Sequence, residues 1–223
     1  MKFGAINNDI PVQQIKEDLQ RFAKLAVDLG ATHVESIDAK EVVIDYRVRF
    51  KCQVPKCHYY NTNAHCPPYA PSFEEMKKLL SCYSCALLVG LRVPSGVITT
   101  EAVQAEQAVN KPSAASRRNA ARRKLTRIIV ELESEAFYGG YYFAAGFSSG
   151  SCKGTWCKNM PCQALEKGKG CRFPLKSRPS MEAVGMDVFK MATNAGWPIY
   201  PVGSRCPKDN IPYGMMVGII LIT

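Results

Sequence analysis

The chain has 223 residues, of which 47% are hydrophobic and 22% are charged. This size and balance are ordinary for a globular protein and exclude an intrinsically disordered chain. No stretch approaches the roughly 20 apolar residues of a membrane-spanning helix, and the amino terminus lacks the apolar segment of a secretory signal. We therefore expect a cytoplasmic protein without a membrane span. The formal net charge of +10 favours an acidic partner, such as an anionic small molecule, an acidic redox protein or a nucleic acid.

The first part of the chain predicts two helices and two strands around a cysteine-rich loop. Apolar residues at helical spacing predict a helix over about 11–29. Segments 32–37 and 41–50 are predicted strands, the second because it is rich in β-branched residues. After the loop, Ser72 and Glu75 have the spacing of a capping box, which predicts a short helix.

The remainder of the chain predicts further alternation of strands and helices. An apolar run predicts a buried strand over Cys85–Val93, and one apolar face predicts a long helix over about 101–138. The other expected elements are a strand over 141–147, a helix capped by Ser180, and strands over 198–202 and 214–222. We expect an α/β or α+β fold with helices packed on a single sheet. Without a clear linker, one domain over 1–223 is expected.

Seven of the ten cysteines fall in two loops, at about 51–71 and 148–178. In a reducing compartment, such cysteines point to metal ligation or redox chemistry and not to disulfides. The first loop contains Cys52, Cys57 and Cys66, and the second contains Cys152, Cys157, Cys162 and Cys171.

The two loops repeat one spacing, with four and then eight residues between successive cysteines. The repeat comprises Cys52, Cys57 and Cys66 in the first loop and Cys157, Cys162 and Cys171 in the second. Short gaps allow several thiolates to converge on one cluster. Structural zinc sites typically use shorter knuckles, and Cys82 and Cys85 form the single two-residue knuckle of the sequence. The pattern favours one or two [4Fe-4S] clusters, with zinc as the alternative.

A cubane cluster takes four thiolates, and the second loop supplies four. The first loop supplies three, so its fourth ligand stays open. A protein-derived fourth ligand would be Cys82, Cys85, Cys206, His58 or His65. With no protein ligand, one iron would be open to a small-molecule substrate.

The two loops, together with the run Arg-Pro-Ser-Met-Glu-Ala that begins at Arg178, resemble a known family. It is the cysteine-rich, predicted metal-binding family called domain of unknown function 2284, found largely in anaerobic bacteria and archaea. Its marks here also include the Cys-Pro-Pro at Cys66 and the four-cysteine loop from Cys152. The resemblance implies that the seven loop cysteines are metal ligands and that the protein works in an anaerobic setting.

Two basic features have alternative interpretations. The first is a cluster on the long helix, formed by Arg117, Arg118, Arg122, Arg123 and Lys124. It can be interpreted as a nucleic-acid surface, as a docking site for an acidic redox partner or as a solvated helix face. No RNA-binding signature accompanies the cluster, which disfavours nucleic acid. Arg178 and Ser180 either bind an anion at a helix start or form an ordinary cap.

Three functional hypotheses follow from these observations. The first is low-potential electron transfer through iron–sulfur clusters in anaerobic metabolism. The second is an enzyme whose three-cysteine cluster has an open iron for a substrate. The third is a zinc-stabilised module that binds nucleic acid.

Overall fold

The computed structural model describes residues 10–99, 114–202 and 210–223. Its helices and strands are, in chain order, α1 (Val12–Asp28), β1 (His33–Asp38), α2 (Tyr46–Phe50), α3 (Phe73–Leu80), β2 (Cys85–Val93), α4 (Ser95–Ile98), α5 (Ala114–Tyr138), β3 (Ala145–Phe147), α6 (Cys152–Thr155), α7 (Val188–Asn194) and β4 (Gly214–Leu221). Short 3₁₀ turns occur at Ala39–Glu41, Gln163–Leu165 and Glu182–Val184. Within the described ranges, no helix is both long and apolar enough to cross a membrane.

The strands form one antiparallel sheet in the order β1-β2-β4-β3. The two central strands are apolar and almost wholly buried, because both faces of the sheet are covered. Side chains of β2 alternate, so that Leu87 and Val89 enter the core beneath α1 and α5. Ala86 and Leu88 enter the opposite core, which α3, α7 and the loop segments cover. The predicted fold class, helices packed on one sheet, is confirmed.

Helix α5 joins the sheet to the second cysteine loop. Its apolar face buries Leu125, Ile129 and Leu132 against the sheet, as the helical spacing predicts. The Thr126 and Ser148 hydroxyl oxygens lie 2.8 Å apart, which attaches the start of the second loop to this helix. Helix α5 therefore positions the second cysteine loop relative to the core.

Several predicted elements are confirmed. The first helix begins after Pro11, and the strands over 32–37, 85–93 and 214–222 match β1, β2 and β4. Both hydrogen bonds of the predicted capping box form at the start of α3: Glu75 N donates to Ser72 Oγ, and Ser72 N donates to a Glu75 carboxylate oxygen. The predicted stretch 101–113 lies outside the described residues.

The predicted strand over 41–50 is wrong. Val42 is buried in the core beneath α3 and α7, and the chain then turns into α2. The Asp45 side chain accepts a hydrogen bond from Arg47 N at 2.8 Å, which caps α2. The β-branched residues Val42, Val43 and Ile44 therefore pack as a loop, with a single bridge from Ile44 to Met186.

The later elements are shorter than predicted. The strand expected over 141–147 is limited to β3, and 198–202 forms no strand. The helix expected from Ser180 is divided. A 3₁₀ turn ends at Gly185, whose φ of +88° suits glycine, and Asp187 then caps α7.

Candidate metal centre and adjoining cavity

The two cysteine loops meet in space, although more than eighty residues separate them in the sequence. Asn63 of the first loop is 1% exposed, and its Nδ2 lies 3.4 Å from the Ser151 hydroxyl. The Cys66 sulfur lies 3.5 Å from the same hydroxyl, and the Cys152 sulfur lies 3.4 Å from Asn63 Oδ1. One polar contact chain therefore connects a thiol of each loop.

The second loop gathers its thiols around one small cavity. Cys152, Cys157, Cys162 and Cys171 all line it, together with Asn63, Trp156 and Phe173. Burial raises the pKa of Cys152 to about 12, and the thiols of Cys66, Cys162, Cys157 and Cys171 add to this effect. Burial also raises the pKa of Cys157. A bound cation would favour the thiolate forms that this enclosed site disfavours.

The thiols of the first loop face a different space. Cys52, Cys57 and Cys66 lie in the wall of a large cavity of about 970 Å³, a size suited to a small organic molecule. Burial raises the pKa of Cys52 to about 11, with further contributions from Cys57, Cys66 and Glu182. The first set of thiols is thus open to a cavity, whereas the second set is enclosed.

A buried arginine fixes the first loop. Arg49 is 7% exposed; its Nη1 donates to the Ala183 carbonyl at 2.7 Å, and its Nη2 donates to the Ala70 carbonyl at 3.1 Å. These bonds connect α2, the end of the loop and the 3₁₀ turn at Glu182–Val184. Such charge-assisted bonds satisfy carbonyls that would otherwise be buried without a partner.

An ion pair fixes the end of the second loop. Arg178 Nε and Nη2 donate to the two carboxylate oxygens of Glu133 at 2.8 and 3.0 Å. Glu133 also accepts a hydrogen bond from Gly146 N, so α5, β3 and the loop are held together. Ser180 Oγ accepts a hydrogen bond from Ala183 N. These contacts agree with the interpretation of Arg178 and Ser180 as residues of an ordinary cap and not as an anion-binding site.

The candidate fourth ligands of the first site lie in different places. Cys82 is exposed, and its thiol contacts the Lys78 carbonyl oxygen at 3.4 Å, while Cys85 is buried in the core. His58 is exposed beside Tyr59, and His65 has a buried Nδ1 without a hydrogen-bond partner among the described residues. Cys206 lies outside the described residues.

The basic cluster of α5 does not form one solvated face. Arg118 and Arg122 line the large cavity, and Arg123 Nη1 donates to the Thr155 carbonyl at 3.3 Å. Exposed cations are instead concentrated on the second loop, at Lys158, Lys167, Lys169, Arg172 and Lys176. Positive charge therefore lies both inside the cavity and around the enclosed thiols.

Sequence reasoning missed the residues that connect the loops. Asn63, Ser151, Arg49 and Glu133 carry no motif, and their partners lie far away in the chain. Across the described ranges, no three His, Cys, Asp or Glu side chains are arranged to hold a single metal ion. The donor set of the two loops, seven thiols, is of the soft type that iron–sulfur clusters and zinc take.

These features define an α/β protein with two adjacent cysteine-rich loops of metal-ligand type. A family model described as predicted metal-binding protein (DUF2284) matches residues 35–222, and the chain belongs to this family. Neither the search of curated proteins nor the search of solved structures gave a match. The family supports metal binding without specifying the metal.

Proposed function

We propose that this protein is an iron–sulfur protein that transfers electrons at low potential in the cytoplasm of an anaerobe. The observation that carries the proposal is the gathering of Cys152, Cys157, Cys162 and Cys171 around one cavity. Four thiolates are the complete ligand set of a [4Fe-4S] cluster. Such a cluster would supply one-electron redox chemistry, and an iron without a fourth thiolate would supply a Lewis-acid position at the first loop.

Iron–sulfur is favoured over zinc by the number and spacing of the thiols. Each triplet has gaps of four and eight residues, whereas structural zinc usually lies between short knuckles. The loops also adjoin, through Asn63 and Ser151, at Cys66 and Cys152. Adjacent sites suit electron transfer from one to the other, which a purely structural zinc site would not need.

An acidic redox partner is proposed to dock on the second loop. Five exposed cations lie on this loop, and Glu166 is paired with Lys169 at 2.6 Å. Charge complementarity raises association rates and fixes orientation more than it raises affinity. The arginines of α5 that line the cavity do not offer an equivalent surface to a large partner.

A second candidate function is an enzyme that uses the first loop as its reactive site. The supporting observation is the large cavity beside Cys52, Cys57 and Cys66, which has the volume of a small-molecule site. In this case, the second loop would pass electrons to the first, where a substrate would bind. A protein that only carries electrons has no need of such a cavity.

The test is the content of iron, sulfide and zinc in protein purified without oxygen, together with visible and paramagnetic-resonance spectra. About eight irons and eight sulfides per chain would support clusters in both loops, and about four would support one. Altered spectra on addition of cyanide would favour the enzyme over the carrier, because an open iron binds such ligands. Stoichiometric zinc without sulfide would overturn the proposal and favour the zinc-stabilised nucleic-acid module.

A further inference from the structure

Two arginines that line the large cavity form no salt bridge with any described residue. Arg118 and Arg122 lie four residues apart on α5, on one face of the helix, and both line the cavity. The ion pairs of the described residues include neither of them. Two neighbouring cations of like charge destabilise a helix unless an opposite charge compensates them.

The surroundings of these arginines are enclosed and polar. Arg118 Nε and Ser149 Oγ are both buried without a hydrogen-bond partner in the described ranges, and both residues line the cavity. Buried polar atoms of this kind are usually satisfied by a ligand or by water. Burial, followed by the charge of Arg118, lowers the pKa of Arg122, and the opposing effects of Tyr59 and Glu182 are smaller.

The backbone is shaped to admit the Arg122 side chain. Gly150 has a φ of +68°, and a Cβ at this position would lie 2.5 Å from Arg122 Nε. Any larger residue would therefore displace the guanidinium. The cavity wall at Gly150 is open because of the absence of a side chain.

The carboxylates of the cavity are mostly engaged elsewhere. Asp45 pairs with Arg47, and Asp187 accepts a hydrogen bond from Lys190 N at 3.0 Å. Glu182 is accessible from the cavity and yet surrounded by protein, and this burial raises the pKa of its carboxyl. The charges of Glu182 and Arg122 attract each other, but the two residues form no salt bridge, so one carboxylate at longer range faces the two cations of Arg118 and Arg122.

The remaining wall is largely apolar. Met216 and Val217 of β4 contribute to it, together with Ile98 and Ile199. We propose that the cavity binds a small organic anion, a carboxylate or a phosphate ester, through Arg118 and Arg122, with its apolar part along β4. This inference deepens the proposed function. It rests on that function only in one respect, which is that the ligand would lie beside a metal at Cys52, Cys57 and Cys66.

The test is calorimetric titration of the anaerobically purified protein with acetate, hexanoate, inorganic phosphate and monohexyl phosphate. We expect hexanoate to bind more tightly than acetate, or monohexyl phosphate to bind more tightly than inorganic phosphate. Whichever of the two six-carbon probes binds more tightly identifies the head group as a carboxylate or a phosphate. Arg118→Gln and Arg122→Gln should each weaken binding about tenfold or more. Arg127→Gln, on an exposed position of the same helix, is the matched control and should bind as the wild type does.

Absence of binding of all four probes at about 10 mM would overturn the inference, as would unchanged binding by the Arg118→Gln, Arg122→Gln double variant. Equal affinity for the short and long probes would overturn the placement of the apolar part. Ser149→Ala, which removes only a hydroxyl, should weaken binding less than either arginine variant does. If circular dichroism shows that a variant is unfolded, a competition experiment between sulfate and hexanoate on the wild-type protein takes the place of that variant. Lack of competition would then count against an anion site.

Metal analysis of the same samples separates this inference from the proposed function. Tight binding of a probe to protein that holds no iron would support the anion site while overturning the iron–sulfur proposal. Iron-loaded protein without binding of any probe would overturn the anion site alone.

Discussion

The two cysteine loops share a spacing but differ in their surroundings. In the first loop, three thiols lie in the wall of a cavity of about 970 Å³ that is also lined by arginines and the Glu182 carboxyl. In the second, four thiols line a small cavity together with Trp156 and Phe173, and exposed lysines lie on the same loop. The equal spacing favours equal chemistry of ligation, and the unequal surroundings indicate unequal access.

This difference indicates that the spacing of the cysteines and the access to each site are determined by different parts of the molecule. Spacing decides whether thiolates can converge, because it fixes how much chain must be ordered between them. The packing around the loops decides what else can reach the site, which in the functions proposed above is a small molecule at the first loop and a charged protein surface at the second. The predictions below test this division.

The largest effect is expected from Cys162→Ser. Loss of one of four thiolates leaves the enclosed site incomplete, so the variant should lose about half of the iron of a two-cluster protein. Iron and sulfide analysis with visible spectra measures the loss. Cys82→Ser, at an exposed cysteine outside both loops, is the control and should keep the full content, which would also remove Cys82 from the candidate fourth ligands of the first site.

A Cys162→Ser protein with wild-type iron content would contradict the assignment of the second loop. In the matched experiment on the first loop, Cys57→Ser should leave the spectrum of the enclosed site intact. Loss of all metal from either single variant would show that the two loops form one site instead of two.

Replacing the arginine that fixes each loop should lower the free energy of unfolding by a different amount for the two loops. Arg49→Met leaves the Ala70 and Ala183 carbonyls buried without a donor, which should lower the free energy of unfolding by about 2–4 kcal/mol. Arg178→Met breaks a less buried pair with Glu133, and about 1–3 kcal/mol is expected. Urea unfolding measures both values. A larger loss for Arg178→Met would contradict the order inferred from burial.

Charge reversal on the second loop should slow electron transfer. Lys176→Glu places a negative charge beside the enclosed site and should reduce the rate with an acidic ferredoxin-type donor several-fold, by about 3–10 times at low salt. Lys16→Glu, on the exposed side of α1, is the control. Stopped-flow reduction measures the rates, and an equal effect of both variants would show that net charge alone matters.

The smallest effect is expected far from both loops. Tyr141→Phe removes a hydrogen bond of 3.0 Å to the buried Asp18, and about 1–2 kcal/mol of stability should be lost with unchanged metal content. Burial raises the pKa of Asp18, but hydrogen bonds from Gln14, Arg21 and Tyr141 outweigh it and leave the pKa below its usual value.

The pH dependence of this variant has a definite sign. A carboxyl with a lowered pKa in the folded state adds stability above the pKa of about 4 that it has when unfolded. This stability is lost as the pH falls through the folded-state pKa. The difference between Tyr141→Phe and the wild type should therefore be full at pH 7 and shrink below about pH 4. A difference that grows on acidification in thermal unfolding would contradict this account.

The longer helices α1, α3 and α5 and the strands β1, β2 and β4 were predictable because their signals are local, whereas the short helices α2, α4 and α6 were not predicted. The apolar spacing of α1 and α5, the capping box at Ser72 and the apolar run of β2 involve residues close together in the chain. The strand predicted over 41–50 was wrong because local signals were not decisive there. Its β-branched residues favour a strand, but Asp45 caps a helix and Val42 packs in a core, so tertiary contacts outweighed propensity.

The grouping of the cysteines in two loops was predictable from the sequence, whereas the surroundings of the loops were not. The sequence alone determined that seven thiols lie in two loops of equal spacing, since this is a property of neighbouring residues. Only the tertiary structure decided that the loops meet at Asn63 and Ser151 and that Arg118 and Arg122 face a cavity. Contacts such as that of Arg49 with Ala183 join residues 134 positions apart, and no local pattern specifies them, because they depend on how the sheet and helices pack.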